Sequence, residues 1–170
     1  MIIAGTGHRP DKLPDKKTGY KLPNPTYNFI CQQTEKILLE LKPTKVISGM
    51  ALGFDQYLAH VAIKLGIPVL AAVPFDGQES AWPQSSQQLY NSLLKKVSEV
   101  VIVSEGGYSA AKMQVRNEFM IDNCDLVLAC YNGDSSGGTF NAIAYAQKLG
   151  KPIKIIDPNN LKNSPTLTVG

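Results

Sequence analysis

Apolar residues in this chain fall into short unbroken runs separated by stretches of helical period, and that alternation predicts the architecture. The runs are Met1–Ala4, Lys45–Ser48, Ile67–Val73, Val100–Val103, Asp125–Cys130 and the segment from Pro152 to Ile156. Runs this short, bounded by Gly, Pro or polar turns, read as buried strands. Between them, apolar positions recur three and four apart. Phe29, Ile30, Ile37, Leu38 and Leu41 follow an Asn24-Pro25 helix start and stop at Pro43, and Leu58, Ala59, Ala62 and Leu65 stop at Gly66. Leu89, Leu93, Leu94 and Val97 lie on a helix from Gln84 to Val97, and a helix from about Ser109 to Asn123 presents Met113, Arg116, Asn117 and Met120 on adjoining faces. Ala142, Ile143, Ala146 and Leu149 precede Gly150. About six strands alternating with about five helices predict an α/β fold: one Rossmann-like domain over residues 1–157, with a mainly parallel sheet and helices on both faces. A tail over 158–170, holding Asn159, Asn160 and Pro165, is expected to be peripheral.

The turns after the first, second and fifth strands are rich in glycine: Gly5 to Pro10, Gly49 to Asp55, and Tyr131 to Gly138 leading into Thr139. Right-handed crossovers leave the carboxyl ends of parallel strands at one edge, so these turns are expected to converge on a single crevice. The first backbone N–H groups of a helix lack internal partners and sit at its positive end, which suits a glycine turn delivering such an end to hold a phosphate. The donors would be the amides of Gly137, Gly138 and Thr139 with the hydroxyls of Ser135, Ser136 and Thr139; the alternative is a capped loop with no ligand.

Other side chains carry paired readings. His8 and Arg9 stand where open α/β sheets bind ligands, although Arg9 could pair with a surface carboxylate. Asp55 could cap its helix or meet a sugar hydroxyl. Trp82, in the loop from Pro74 to Pro83, could cover a planar base or pack on a neighbouring helix. Arg116 lies near the buried side of its helix and needs either a carboxylate or a ligand phosphate. The lysine-rich stretch Asp11–Pro23 reads as a solvated loop able to close over a ligand.

Composition narrows the function classes. A hydrophobic fraction of 44% and a charged fraction of 18% are those of an ordinary globular domain, and a net charge of +3 without a basic run does not indicate nucleic acid. Cys31, Cys124 and Cys130 are odd in number and scattered, which points to reduced packing residues and a cytoplasmic setting. No apolar stretch has the length of a membrane span, and the first residues read as a strand, so no signal peptide or anchor is expected.

Taken in order, Gly5-Thr-Gly-His-Arg-Pro10, Ser48-Gly-Met-Ala-Leu-Gly-Phe-Asp55, Pro74-Phe75 with Gln78 and Trp82, Arg116-Asn117 with Met120, and Gly137-Gly-Thr139 resemble the SLOG superfamily, and more closely its YspA/YpsA-like branch. The resemblance runs from Ile2 to about Ile156. It implies a Rossmann-like fold that binds a nucleotide or nucleotide-derived ligand, with the phosphate at the Gly-Gly-Thr turn and no required cofactor or metal. The implied ligand-binding positions are Gly5, Thr6, Gly7, His8, Arg9, Gly49, Met50, Ala51, Gly53, Asp55, Pro74 and Phe75, then Gln78, Trp82, Arg116, Asn117, Met120, Ser136, Gly137, Gly138, Thr139 and Asn141. The superfamily includes lonely-guy phosphoribohydrolases and sensors of bacterial and phage-defence systems, so two functions stand. One is a sensor, carrier or sequestering module; the other is an enzyme acting at an N-glycosidic bond. The phosphoribohydrolases carry a Glu three residues after the Thr, where this chain has Ala142, so a catalytic acid would have to be Asp55, Glu118 or Asp122. The resemblance also implies a homodimer, with Ala59–Ile63 and Ala110–Met120 as candidate faces, although the same residues could equally be intramolecular core.

Overall fold

The structure, a computed structural model, describes residues 1–14 and 21–160 and the backbone of 166–169. Its strands are β1 (Ile2–Gly7), β2 (Lys45–Ser48), β3 (Val69–Val73), β4 (Glu99–Ile102), β5 (Leu126–Cys130), β6 (Ile153–Ile156) and β7 (Thr166–Val169). They form one sheet in the order β4-β3-β2-β1-β5-β6-β7. The first six are mutually parallel, and β7 runs antiparallel on β6, with Ile153 opposite Val169. A strand beyond Ile156 was not foreseen in the sequence. Thr166 to Val169 is too short and polar to signal one unless an edge is waiting to be paired.

The helices are α1 (Pro25–Leu41), α2 (Phe54–Lys64), α3 (Gln84–Leu94), α4 (Ala110–Asp122) and α5 (Gly138–Lys148). Local chemistry sets several ends. The Asn24 side chain accepts the Tyr27 amide at 2.9 Å, with Pro25 behind it, and Ser109 does the same for Lys112 at 3.2 Å. Because successive residues of a strand face opposite sides, the sheet divides the core in two. Ile3, Val46, Leu128 and Cys130 pack towards α1, α2 and α3, whereas Ala4, Ile47, Val127 and Ala129 pack towards α4 and α5. All three cysteines are free thiols; Cys124 and Cys130 are buried.

One expectation changes and another narrows. The run at Val100–Val103 has the pattern of a buried strand, yet Val100 and Ile102 are 46% and 50% exposed because β4 is the open edge of the sheet. Of the two readings of Ala59–Ile63, dimer face or core, the structure has the core for Ala59, Val61 and Ala62, which are sealed inside. On α4 it is Val115 that stands out, at 46% exposed. No helix among the described residues is long and apolar enough to cross a membrane. Of the stretch Asp11–Pro23, Pro10–Lys12 forms a short 3-10 turn and Leu13 is buried, while residues 15–20 lie outside the described residues.

Candidate functional site

After β1 the chain steps outward through β2 and β3 to β4, then returns to the far side of β1 as β5. The loops leaving β1 and β5 therefore diverge, and the crevice between them is where sheets of this kind take ligands. Gly7 pairs with Cys130 at the carboxyl ends of the two strands, and the ladder carries on one residue further, with the His8 amide donating to Cys130 O at 3.2 Å. A cavity of about 200 Å³ opens there. Thr6, Gly7, His8 and Arg9 wall it from β1, Ala51 and Asp55 from the second turn, Arg116, Asn117 and Met120 from α4, and Gly137, Gly138 and Thr139 from the start of α5. The glycine turns after strands one and five thus share one edge, and the second turn reaches them through Ala51 and Asp55.

Arg116 is 4% exposed and bridges the top of the sheet. Its Nη1 donates to Gly49 O at 2.6 Å and to Ala72 O at 3.3 Å, and its Nε donates to Asn117 Oδ1 at 3.1 Å. Nη2 has no partner among the described residues. Asp55, equally buried, faces the guanidinium across the space left by the missing side chain of Gly49. A Cβ there would stand 2.5 Å from Arg116 Nη1 and 2.8 Å from Asp55 Oδ2. Burial pushes the Asp55 carboxyl above the ordinary aspartate range, opposed by the charge of Arg116 and by the Ala51 N–H donating to Oδ2 at 3.2 Å. Burial likewise pulls the guanidinium down, with Asp55 opposing, and arginine stays charged regardless. Asp55 does not cap its helix: Gly53 holds that place, and the side chain turns back to Ala51. The turn is further tied by Ser48 Oγ, which donates to Asp55 O at 2.7 Å and accepts the Met50 amide at 3.1 Å, holding Met50 at a left-handed φ of 60°.

Lys12 was hidden in the lysine-rich segment and proves to be a cavity residue. Its Nζ pairs with Asp134 Oδ2 at 2.7 Å and donates to Ser136 O at 3.2 Å, crossing from the β1 loop to the α5 loop. The ammonium lies 2.9 Å from where a Cβ on Gly137 would sit, directly over the turn. Gly137 has φ +93°, a conformation open to glycine, and it caps α5 with no side-chain acceptor on the helix amides. Arg9 also lines the cavity, and no carboxylate pairs with it among the described residues. His8 is 2% exposed, its Nε2 lies 2.8 Å from Asn132 Oδ1, and burial lowers its pKa below the ordinary histidine value.

A family model described as the YspA SLOG family matches residues 3–161. The chain belongs to that family. Among its relatives, an uncharacterised SPbeta prophage-derived protein of Bacillus subtilis is 32% identical over 155 residues, covering 80% of this chain and 90% of the relative. Among solved structures, DNA processing protein A from Streptococcus pneumoniae matches with a TM-score of 0.65 at 16% identity, covering 92% of this chain and 50% of that protein, about half its length. The Helicobacter pylori protein, described for its single-stranded DNA binding mode, matches at 0.63 and 16% identity, covering 96% of this chain and 68% of that one. At such identity these two show the fold alone.

Within this SLOG chain the positions named from the motifs separate into walls and supports. Gly5 lies inside β1 against Leu58, Gly49 lies under Arg116, Gly53 abuts His8 O, and Met50 is wholly buried. These shape the cavity from behind, while Pro74, Ser136 and Asn141 do not line it. Phe75, Gln78 and Trp82 line a second cavity of about 250 Å³, which shares Arg9 and Met113 with the first. Of the catalytic candidates, Asp55 alone reaches the cavity. Glu118 does not line it, and Asp122 is exposed, accepting Tyr145 OH at 2.7 Å. Asp122 ends α4 just before β5 begins, which puts it at the amino edge of the sheet, away from the crevice. Ala142 is fully buried in the core and does not line the cavity.

Proposed function

We propose that the protein binds a phosphorylated, nucleotide-derived ligand in the switch-point crevice, acting as a sensor, carrier or sequestering module in the cytosol. The observation that carries this reading is the set of cations gathered around the start of α5. Arg9 and the Nη2 of Arg116, both without a partner among the described residues, line the same cavity as Gly137, Gly138 and Thr139, and the ammonium of Lys12 lies over that turn. Helix-end amides supply only a partial charge, and a phosphate at such an end is held better with cations beside it. Native mass spectrometry and calorimetric titration with nucleoside mono- and diphosphates and cyclic nucleotides test it; absence of binding by all of them overturns it. Single-stranded DNA belongs in the same titration, because the Helicobacter pylori fold neighbour binds it, although a net charge of +3 favours a small anion.

Lys12 gives a separate expectation. Its pairing with Asp134 is about one-third exposed on both sides and so contributes little to stability. Lys12→Met is expected to leave the melting temperature unchanged and to weaken phosphate-ligand binding about tenfold, with a smaller dependence on salt. Titration at low and high ionic strength reads both effects, and an unchanged affinity removes Lys12 from the site.

One observation favours the enzymatic alternative. Asp55 is a buried carboxyl in the cavity wall whose pKa is raised by burial, the property of a general acid for N-glycosidic cleavage. Incubation with nucleoside monophosphates followed by chromatography separates the readings: released base supports the enzyme, retained unchanged ligand the binding module. A homodimer through the α4 surface around Val115, and a part in bacterial or phage-defence signalling, complete the proposal; the prophage origin of the Bacillus subtilis relative accords with the latter. Light scattering that gives a monomer mass at micromolar concentration removes the dimer.

A further inference from the structure

The second cavity differs in character from the first. Phe75, Trp82 and Tyr108 bring three aromatic rings to it, with Phe75 and Tyr108 edge to face at 6.0 Å and 82°. Trp82 is braced from the other side by Tyr90, edge to face at 5.4 Å. Tyr108 itself is 74% exposed, a large ring left in solvent beside an apolar hollow. Volumes of about 200 and 250 Å³ are each below the roughly 300 Å³ at which ordinary ligand sites begin, whereas the two lobes, meeting at Arg9 and Met113, reach that range together.

Gln78 supplies a polar group in this aromatic lobe. It is 7% exposed, and its Nε2 lies 3.2 Å from Gly49 O and 3.4 Å from Tyr90 OH. Gly49 O accepts hydrogen bonds only, so the amide must turn its NH₂ towards that carbonyl and its oxygen away. The Oε1 atom is then a buried acceptor with no partner among the described residues. An acceptor in that state is destabilising until a donor reaches it.

We propose that the aromatic lobe is the subsite for the base of the ligand, and that Gln78 Oε1 selects a base bearing an exocyclic amine. The inference rests on the phosphate reading of the neighbouring lobe and deepens it: phosphate at the start of α5, sugar passing Arg9 and Met113, base among Phe75, Trp82 and Tyr108. Rings with opposed edge and face geometry present a π surface to a planar heterocycle, and only a base with an N–H donor at its substituted edge satisfies Oε1. A base with a carbonyl there would set two acceptors against each other.

The test titrates AMP, IMP and ribose 5-phosphate into the full chain and into two variants. AMP is expected to bind at least about tenfold tighter than either of the others. Tyr108→Ala removes an exposed ring and leaves the fold intact; it should weaken AMP about tenfold and leave ribose 5-phosphate unchanged. Gln78→Met should bring AMP and IMP to similar affinity. Equal binding of AMP and ribose 5-phosphate, with a silent Tyr108→Ala, overturns the base subsite while the phosphate lobe stands. IMP binding as well as AMP overturns the amine selection. Failure of all three probes to bind overturns this inference, while the phosphate reading falls only if the nucleoside diphosphates and cyclic nucleotides fail as well.

Discussion

Replacing Arg116 with alanine is expected to lower the melting temperature by about 10 °C or more, an effect larger than any loss confined to ligand contact. The guanidinium is buried, serves two backbone carbonyls and one side-chain oxygen, and compensates the buried charge of Asp55. Leaving one charge of a buried pair alone costs about 3–5 kcal/mol, and a domain of this size loses roughly 2–4 °C for each kcal/mol. The sign of the pH response follows from Asp55. Burial raises its folded pKa above the unfolded value of 3.8, so the folded state holds its proton more tightly, and stability tied to that proton is lost as pH rises through the folded pKa. Removing Arg116 takes away the main force that lowers this pKa and so widens the raised window towards neutrality. The deficit of Arg116→Ala against the parent should therefore shrink as pH falls below neutral, and Asp55→Asn added to it should recover part of the loss. Denaturation at pH 5 and pH 7 decides the matter; a deficit equal at both removes Asp55 as the partner.

Gly138→Val is expected to abolish phosphate-ligand binding, by about a hundredfold or more, in a protein that remains folded. A Cβ at Gly138 meets nothing within 4 Å, and the residue stands in the first turn of α5 where the ligand would lie. A Cβ there displaces no protein atoms, and the branched side chain beyond it stands at the wall of the cavity, at a cost to the helix within about 1 kcal/mol. Gly137 is a poorer probe: its φ of +93° and the Lys12 ammonium, 2.9 Å from where a Cβ would sit, make any substitution disturb the loop itself. Calorimetry on the folded Gly138→Val protein reads the result, and unchanged affinity would place the ligand elsewhere.

The alternation of short apolar runs with helical stretches was enough to read the parallel sheet. It also placed the glycine turns on one edge, because crossover handedness depends on backbone chirality more than on sequence detail. The order of strands was harder to read. β4 is as apolar as an interior strand, and its exposure comes from topology alone. The role of Arg116 was half legible: its buried face required a partner, but Gly49 and Ala72 lie 67 and 44 residues away and accept through backbone oxygens that leave no mark on the sequence. Lys12 was lost among neighbouring lysines, although its place immediately after the first glycine turn was a usable signal. Asp122 could have been set aside from sequence, since the last turn of a helix feeding a parallel strand lies at the amino edge. For Gln78 and Trp82 the motif gave the positions, and only the packed rings gave the lobe.

The carbonyl oxygen of Gly49 has two lone pairs, and both are engaged: Arg116 Nη1 at 2.6 Å from the anion side and Gln78 Nε2 at 3.2 Å from the aromatic side. One atom therefore joins the two lobes. Under the proposed base subsite, a shift of Gln78 towards a bound base would relax one of those bonds and let the other strengthen, which would reset the guanidinium beside the proposed phosphate lobe. Occupancy of one lobe should then alter affinity in the other, and a double-mutant cycle between Gln78 and Arg116 should show a coupling energy of about 0.5–3 kcal/mol in place of additive losses. A binding module wired in this way would register whether phosphate and base arrive together on one molecule, and would answer weakly to either fragment alone.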